Sequence, residues 1–402
     1  MLYLKLALIS GLFAAQTHAL GPVLPINDSF YTPPCGFEAA KPGTILRNRP
    51  VPSPLSPSLD VAAAYQILYR TTDTFGNAIA TVTTVLVPHN ATNTNLLSYQ
   101  VAEDAANPNC CPSYVFQQGS ETGGPGGDVL ALTEVEIIKS AVENNWYITI
   151  PDYLGPKAAF LANTLAGHAV LDGIRATLAS SSFTGLAQDP LITMWGYSSG
   201  SFGSGFAAEL QPTYAPELKI IGAVLGGPVA SILSVLSAVN KSAYAGLIAV
   251  GIIGLGNEYP VVASLFEEQV LPEKKAKFDG VGSLCIGAVF AEFLFEDVFT
   301  YCKDPSIFNN TVVAEFIAAN DLGQHTPRIP MLVYKAIDDE VSAVADCDKL
   351  VQSYCDSGAS LEYRRIASSS HLDLYTSGAP MAIAWIKDRF NGVAVPQVCV
   401  QK

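Results

Sequence analysis

Ser198 lies in the segment Gly196–Gly200, which reads Gly-Tyr-Ser-Ser-Gly and matches a Gly-x-Ser-x-Gly pattern. In enzymes with a serine nucleophile, this pattern places the hydroxyl on a sharp strand-to-helix turn, where it can attack a carbonyl carbon. The two glycines leave room for a strained backbone and for close helix–strand packing. An ordinary glycine-rich turn is the alternative. The apolar run Leu191–Trp195 before the pattern and an alanine-containing helix after it favour the catalytic interpretation.

A serine nucleophile needs a base. In proteins with this type of turn the serine comes first along the chain, the Asp or Glu second and the His third. Two histidines follow Ser198 in the chain, His325 and His371. The carboxylate is expected at the end of the strand predicted at Met331–Ala336. His325 comes before this strand, which does not fit the order Ser, Asp or Glu, His, so we interpret it as a loop residue. His371 follows the strand predicted at Leu361–Ile366 through a serine-rich loop, and we predict that it is the general base.

The carboxylate of such a triad should follow the strand predicted at Met331–Ala336, where the chain reads Asp338-Asp339-Glu340. One of these acids would hold the imidazole in the right tautomer and stabilise the imidazolium, while the others would lie in solvent. The periodicity of the strand does not choose between Asp338 and Asp339.

Strands and helices alternate along most of the chain, which predicts a mostly parallel sheet with helices on both faces, an α/β-hydrolase fold. The strands are expected from Ala62 onward, each ending near a turn signal. We predict strands at Tyr65–Arg70, Ala78–Val87, Leu97–Val101, Trp146–Ile150, Leu191–Trp195, Ile220–Leu225, Met331–Ala336 and Leu361–Ile366, and helices at Leu130–Asn144, Leu161–Leu178, Gly200–Leu210, Ala343–Ser357 and Met381–Phe390.

Four regions differ in composition. Residues 1–19 have a basic start, an apolar run and small residues at a cleavage point, as a signal peptide does. Residues 20–60 form a proline-rich arm that we expect to pack on a hydrolase core made of 61–229 and 326–402. Residues 230–325 interrupt the alternation and are apolar and helical, which predicts a cap or lid. Within this region, the segment Ala243–Gly256 would either contact lipid or pack inward as a cap helix.

The composition excludes several classes of protein. With 49% hydrophobic and 14% charged residues, the chain of 402 residues is not disordered. Its formal net charge of -14 makes nucleic acid an unsuitable partner, because phosphates would be repelled. After the signal peptide the longest apolar run is Ala243–Gly256, too short for a membrane span.

If the protein is secreted, its eight cysteines should mainly form disulfides, because the secretory compartment is oxidising. They form no CxxC pair and have no histidine at metal-ligand spacing, so we expect neither a metal site nor a cofactor. Four glycosylation sequons agree with a secretory route; they begin at Asn27, Asn90, Asn240 and Asn309.

Short motifs spread over nearly the whole mature chain resemble the fungal secretory lipase family. They are FYTPP (30–34), PGTIL (42–46), SYQ (98–100) with Glu103-Asp104, PSY (112–114), Pro151-Asp152 with GPKAAF (155–160), LDGIRA (171–176), YAPEL (214–218) and DEV (339–341).

The resemblance implies roles that the residues alone leave open. The family has its catalytic acid in a Pro-Asp-Glu step, so the match is Asp339, with Asp338 in the place of the proline. It also implies an oxyanion hole made by Asp104, as a protonated carboxyl and through its backbone, together with the Ser199 N–H.

The family's disulfide pattern implies Cys355 with Cys399, and Cys285 with Cys110 or Cys111. The adjacent cysteines leave the second pair open, with Cys111 taken as the candidate. No partner is assigned to the remaining cysteines, Cys35, Cys302 and Cys347.

Together these features predict a secreted serine lipase or carboxylesterase that hydrolyses acylglycerols through an acyl-enzyme on Ser198. We expect a monomer whose partner is a lipid or small ester, met at an oil–water interface. An esterase or acyltransferase for small natural-product esters would use the same acyl-enzyme and is the alternative. A non-catalytic binding protein would need a broken triad, whereas Ser198, Asp339 and His371 are all present.

Overall fold

The computed structural model describes residues 21–121, 129–367, 369–395 and 399–401. The predicted signal peptide, residues 1–19, lies outside the described residues. Within these ranges the strands form one ten-stranded sheet in the order β1-β2-β3-β5-β4-β6-β7-β8-β9-β10. The strands are β1 (Ile45–Pro50), β2 (Ala63–Thr72), β3 (Ala78–Val87), β4 (Thr92–Gln100), β5 (Trp146–Pro151), β6 (Leu191–Tyr197), β7 (Ile220–Gly226), β8 (Met331–Ala336), β9 (Leu361–Ile366) and β10 (Val400–Gln401).

The sheet is mostly parallel, as the alternation predicted. The seven strands β5, β4, β6, β7, β8, β9 and β10 run parallel to one another. β1, β2 and β3 add an antiparallel edge, which joins them through the antiparallel β3–β5 pairing. Because the carboxyl ends of parallel strands lie on one edge, the loops after β4, β6 and β8 meet there.

Helices cover both faces of the sheet. Their bounds are α1 (Pro112–Val115), α2 (Val129–Val142), α3 (Asn163–Ala179), α4 (Ser181–Thr184), α5 (Gly200–Tyr214), α6 (Ile232–Val239), α7 (Gly246–Glu258), α8 (Pro260–Gln269), α9 (Pro272–Gly280), α10 (Ile286–Glu292), α11 (Thr311–Ala319), α12 (Val344–Asp356), α13 (His371–Ser377) and α14 (Ala379–Phe390).

The central strands are buried on both sides, so their side chains enter two hydrophobic cores in alternation. In β8, Met331 and Val333 pack in the core that includes α3, α5 and α12. Leu332 and Tyr334 point the other way and pack with α2 and α14. This double burial explains why β8 reads as an apolar run whose bounds match the prediction.

The N-terminal arm contributes a strand that the sequence did not predict. Strands were expected only from Ala62 onward, but β1 lies within the arm and pairs antiparallel with β2. It ends at Pro50 and contains Arg47 and Arg49, so it lacks the apolar alternation of a half-buried strand. Proline and charged side chains are typical of edge strands, where one row of backbone groups needs no partner.

The segment between β7 and β8 contains α6 to α11 within the described ranges. Its long apolar helix, α7, is buried along most of its length, from Gly246 to Leu255. It packs against α8 and α10 rather than facing solvent. Of the two interpretations of this apolar segment, the structure favours inward packing.

Candidate active site

Ser198 lies on a strained turn between β6 and α5, as the glycine pattern predicted. Its φ is 53°, a left-handed conformation that is rare for a residue with a side chain. A Cβ on Gly196 would lie 2.1 Å from the carbonyl oxygen of Gly200, and a Cβ on Gly200 would lie 2.1 Å from that of Gln100. Both positions therefore require glycine, because any side chain would collide with backbone.

The structure brings Ser198, His371 and Asp339 together at the carboxyl edge of the sheet. The Ser198 Oγ lies 2.8 Å from His371 Nε2, and His371 Nδ1 lies 2.6 Å from Asp339 Oδ2. These are the distances and the order that nucleophile, base and orienting acid require.

The structure also separates these residues from the alternatives. Asp338 is exposed. His325 is also exposed, and its backbone N–H donates to Glu209 in α5, so neither residue joins this hydrogen-bonded group.

Asp339 is fixed and ionised. Its Oδ1 accepts the backbone N–H groups of Val341 and Ser342, at 3.0 and 2.7 Å. Burial by itself would raise the pKa of Asp339, but the hydrogen bond and charge of His371 and the charge of Lys335 outweigh it and hold the pKa at about 2. The carboxylate can therefore stabilise an imidazolium without taking its proton.

Two residues beside this group have contacts that the sequence did not indicate: Lys335 was not singled out, and Glu340 was expected only to lie in solvent. Lys335, in β8, donates to Asp339 Oδ2 at 2.8 Å. Glu340 accepts the backbone N–H of His371 at 2.7 Å and the hydroxyl of Tyr244 at 3.2 Å. A lysine inside an otherwise apolar strand is a usable signal, since lysine is almost never fully buried unless it is paired.

Asp104 follows β4 in a buried loop and lines the cavity beside Ser198 and Ser199. The loop is held from both sides: Ala102 N–H donates to Glu134 at 2.5 Å, and the Tyr153 hydroxyl donates to Val101 O at 2.8 Å. Ser199 is the N-cap of α5, and the N–H groups at a helix start have no acceptor within the helix. The structure thus places both predicted oxyanion residues beside the nucleophile.

Two apolar pockets meet at Ser198 and share Asp104, Leu247 and Val341. The outer pocket, of about 400 Å³, has walls made by Tyr244, Leu247, Phe290, Leu372 and Tyr375. The inner pocket, of about 470 Å³, lies under α6 and is lined by Phe160, Leu161, Phe202, Val229, Ile232, Val235, Leu236 and Val239.

A third, distal pocket of about 410 Å³ shares Leu161, Ile232 and Leu236 with the inner one and extends between α7 and α11. The walls of the inner and distal pockets are apolar, except for Asp104, Ser198 and Ser199 in the inner pocket.

The disulfides correct one prediction. Cys355 pairs with Cys399 as the resemblance implied, but Cys285 pairs with Cys110 and not with the candidate Cys111. Cys110 closes the turn at Pro108–Cys110 and has its Cα 5.6 Å from that of Cys285, within bridging distance. Cys111, the next residue, is the N-cap of α1, and its sulfur lies 3.4 Å from Ser113 Oγ on the buried side.

The expectation that the cysteines are mainly disulfides is also wrong for half of them. Cys35, Cys111, Cys302 and Cys347 are free in the described structure. All of these except Cys35 are buried, which keeps them away from solvent and from oxidants.

The predicted glycosylation sites differ in accessibility. Asn27 and Asn90 are exposed. The Asn240 side chain donates to Asp297 at 2.8 Å and accepts from Val298 N–H at 2.9 Å, so its amide is engaged. The side chain of Asn309 lies outside the described residues. Along the described segments, no helix is long and apolar enough to cross a membrane.

Comparisons with known proteins agree with this geometry. Residues 127–397 match a family model described as secretory lipase. The chain is 47% identical to Lipase A of Arthroderma benhamiae over 94% of this chain and 82% of that protein. It is 38% identical to Lipase 1 of Candida albicans over 98% of this chain and 86% of that protein.

The structure is similar to crystal structures of Candida antarctica lipase A, one of them in a closed state. The TM-score is 0.85 at 28% identity, over 95% of this chain and 90% of that one. It also shares its fold with the rice cell wall degrading esterase LipA from Xanthomonas oryzae, with a TM-score of 0.64 at 13% identity over 88% and 98% of the chains.

Proposed function

The chain belongs to the secretory lipase family, and on that premise we propose that it hydrolyses lipid esters through an acyl-enzyme on Ser198. The observation that carries the proposal is the unbroken hydrogen-bonded series Ser198–His371–Asp339 at the junction of two apolar pockets. This arrangement also argues against a non-catalytic binding protein, because the nucleophile, base and acid are all in contact.

In the proposed reaction, His371 Nε2 takes the proton of the Ser198 hydroxyl as its oxygen attacks the ester carbonyl. The negative charge that develops on the carbonyl oxygen is stabilised by Ser199 N–H and by Asp104. His371 then gives its proton to the departing alcohol, which leaves the acyl group on Ser198. A water molecule next attacks the acyl-enzyme while His371 takes its proton, and His371 returns a proton to the Ser198 oxygen as the acid leaves. Asp339 stabilises the imidazolium in both halves.

We assign the acyl chain to the inner pocket and the alcohol to the outer pocket. The inner pocket is walled by aliphatic side chains of α6 together with Phe160 and Phe202, and it adjoins the distal pocket. Each methylene buried there contributes about 0.8 kcal/mol, which favours long acyl chains over acetate. The outer pocket opens beside Leu372, which is 47% exposed, so the alcohol part would reach solvent there.

We propose that residues 230–325 act as a cap on this site, above the core made of 61–229 and 326–402. Tyr244, Leu247 and Phe290 from this segment form walls of the outer pocket. The Cys110–Cys285 disulfide joins the start of α10 to the chain just after Asp104, so the cap is anchored beside the proposed oxyanion hole.

An apolar rim near the outer pocket supports action at an oil–water interface. Leu294 and Phe295, just after α10, are 52% and 66% exposed. Phe295 N–H donates to Ser242 O, two residues before Tyr244, which places this rim beside the pocket wall. We further propose that the protein is secreted after removal of residues 1–19 and is glycosylated at the exposed Asn27 and Asn90.

A fluorophosphonate probe tests the mechanism directly, because it labels an activated serine. We expect labelling of the secreted protein and its loss in Ser198→Ala. Ser199→Ala is the matched control, because only the backbone of Ser199 has a proposed role and labelling should persist. A wild-type protein that does not label would refute the proposal.

Substrate class is tested with p-nitrophenyl esters from acetate to palmitate and with a triacylglycerol emulsion. The proposed pockets predict activity that rises with acyl length and persists on the emulsion. Strict preference for acetate without activity on the emulsion would instead support the esterase or acyltransferase for small esters.

A further inference from the structure

Lys335 is a fully buried lysine at the base of the proposed active site. Its side chain has 0% exposure, in a strand whose other side chains are all buried. Removing an ammonium group from water is expensive, and replacing a buried ion pair with apolar residues is often neutral or stabilising. The fold of β8 therefore does not by itself explain a charge at this position.

The contacts of Lys335 point to the catalytic group. Its Nζ donates to Pro228 O at 3.1 Å and to Asp339 Oδ2 at 2.8 Å. The same Oδ2 accepts the hydrogen bond from His371 Nδ1 at 2.6 Å. One carboxylate oxygen thus bridges the lysine and the imidazole, which puts the ammonium at the ~4–6 Å range over which a charge shifts protonation.

We propose that Lys335 is a positioning residue that sets the basicity of His371 through their shared oxygen on Asp339. Its positive charge offsets the carboxylate and opposes protonation of the imidazole, so the base stays in its working, neutral form at more acidic pH. This inference rests on the proposed function, because it concerns the base of that reaction.

Placement of Asp339 does not require the lysine. The other carboxylate oxygen is already held by the N–H groups of Val341 and Ser342. Without Lys335, the Oδ2 would still accept from His371. The lysine therefore adds mainly charge to a carboxylate that is already fixed.

The remaining ionisable groups around the imidazole act in the opposite direction or are neutral. Asp104, from the loop after β4, lines the same pocket and is neutral in its proposed role as a protonated oxyanion donor. The carboxylates of Glu340 and Asp373 belong to the loop after β8 and to α13 itself. Each would favour the imidazolium. The neutral hydroxyls facing the site belong to Tyr197, Tyr244 and Tyr375. From α12, Asp346 and Cys347 interact electrostatically with Lys335.

The test compares Lys335→Gln, Lys335→Met and wild type. Glutamine can keep hydrogen bonds to Asp339 and Pro228 O but has no charge, and methionine loses both. The measurement is kcat/KM against pH between about 3.5 and 8 for a soluble butyrate ester, with the released acid quantified by chromatography. We expect the acidic limb of both variants to move upward by roughly one pH unit. Lys349→Gln, which removes an exposed lysine from neighbouring α12, should leave the profile unchanged.

The possible outcomes separate an effect of the Lys335 charge on His371 from a purely structural role of Lys335. A Lys335→Gln profile that superimposes on wild type, or that falls equally at every pH, would overturn the inference and leave a structural role. If Lys335→Met does not fold, Lys335→Gln alone carries the test. A wild-type protein that neither labels with fluorophosphonate nor hydrolyses the ester would refute the proposed function instead.

Discussion

Replacing Asp152 with asparagine should stabilise the protein at neutral and alkaline pH and leave its stability at acid pH nearly unchanged. Asp152 lies directly after β5 and is 4% exposed. Its Oδ1 accepts Ser113 N–H at 2.9 Å, and its Oδ2 lies 2.5 Å from Ser113 Oγ, which in turn contacts the Tyr31 hydroxyl at 2.8 Å. As the structure has it, the Ser113 hydroxyl donates to Oδ2. An asparagine amide, like the protonated acid, can keep the first bond and donate the second once that hydroxyl turns to accept.

The magnitude follows from the protonation of this carboxyl. Burial raises the pKa of Asp152 from 3.8 to about 7, against the hydrogen bonds from Ser113 and Cys111 that lower it. Because the pKa is raised on folding, the associated stability is fully present below the unfolded value and is lost as pH rises through about 7. A shift of this size corresponds to at most about 4 kcal/mol, or roughly 5 °C in Tm for a chain of this length.

The assay is thermal unfolding of wild type and Asp152→Asn at intervals from about pH 4 to 8, with Asp338→Asn as the control that removes an exposed carboxylate. The difference in Tm between variant and wild type isolates Asp152 from the other titrating groups. It should be near zero at pH 4 and grow to several degrees at pH 8. A difference in Tm that stays constant across this range would contradict the raised pKa of Asp152.

Other substitutions probe the site and its anchoring. Asp104→Ala should lower kcat on soluble esters by about 10²–10³-fold, measured beside an unchanged unfolding curve, because an oxyanion donor is lost. Leu236→Trp should fill the boundary between the inner and distal pockets, since Leu236 lines both, and reduce kcat/KM for palmitate esters more than tenfold while butyrate esters are little affected. Cys110→Ser should lower the free energy of unfolding by about 2–5 kcal/mol in urea titrations and leave a free thiol at the buried Cys285, counted on the unfolded protein, whereas Cys111→Ser should do neither.

The strands that could be predicted from the sequence are those whose burial requires a recognisable run of residue types. β3 and β8 have the predicted bounds because buried strands read as continuous apolar or β-branched runs between turn residues. β9 also has the predicted bounds, although it contains three charged residues and is buried only from Leu361 to Tyr363. β1 has no such run of apolar residues. It is an edge strand whose pairing with β2 depends on where the proline-rich arm lies in space, and no local pattern records that.

The reacting residues were predictable for a different reason. The glycines around Ser198 are required by backbone contacts of 2.1 Å, so the chemistry imposes a local sequence pattern. The choice between Cys110 and Cys111 has no comparable local signal. Successive residues point in different directions, and only the positions of α1 and α10 decide which sulfur faces Cys285.

The contacts that support the site join elements far apart in the chain, and this is why they escape sequence reasoning. Glu134 in α2 accepts the N–H of Ala102 beside the oxyanion loop and the hydroxyls of Tyr99 in β4 and Tyr375 in α13. In sequence it is a glutamate in an amphipathic helix, a position that usually faces water. In the structure its exposure is 0%, and one carboxylate ties the oxyanion loop to the helix that begins with His371. Residues that react with substrate are constrained locally, whereas those that hold them in place are constrained only by the folded chain.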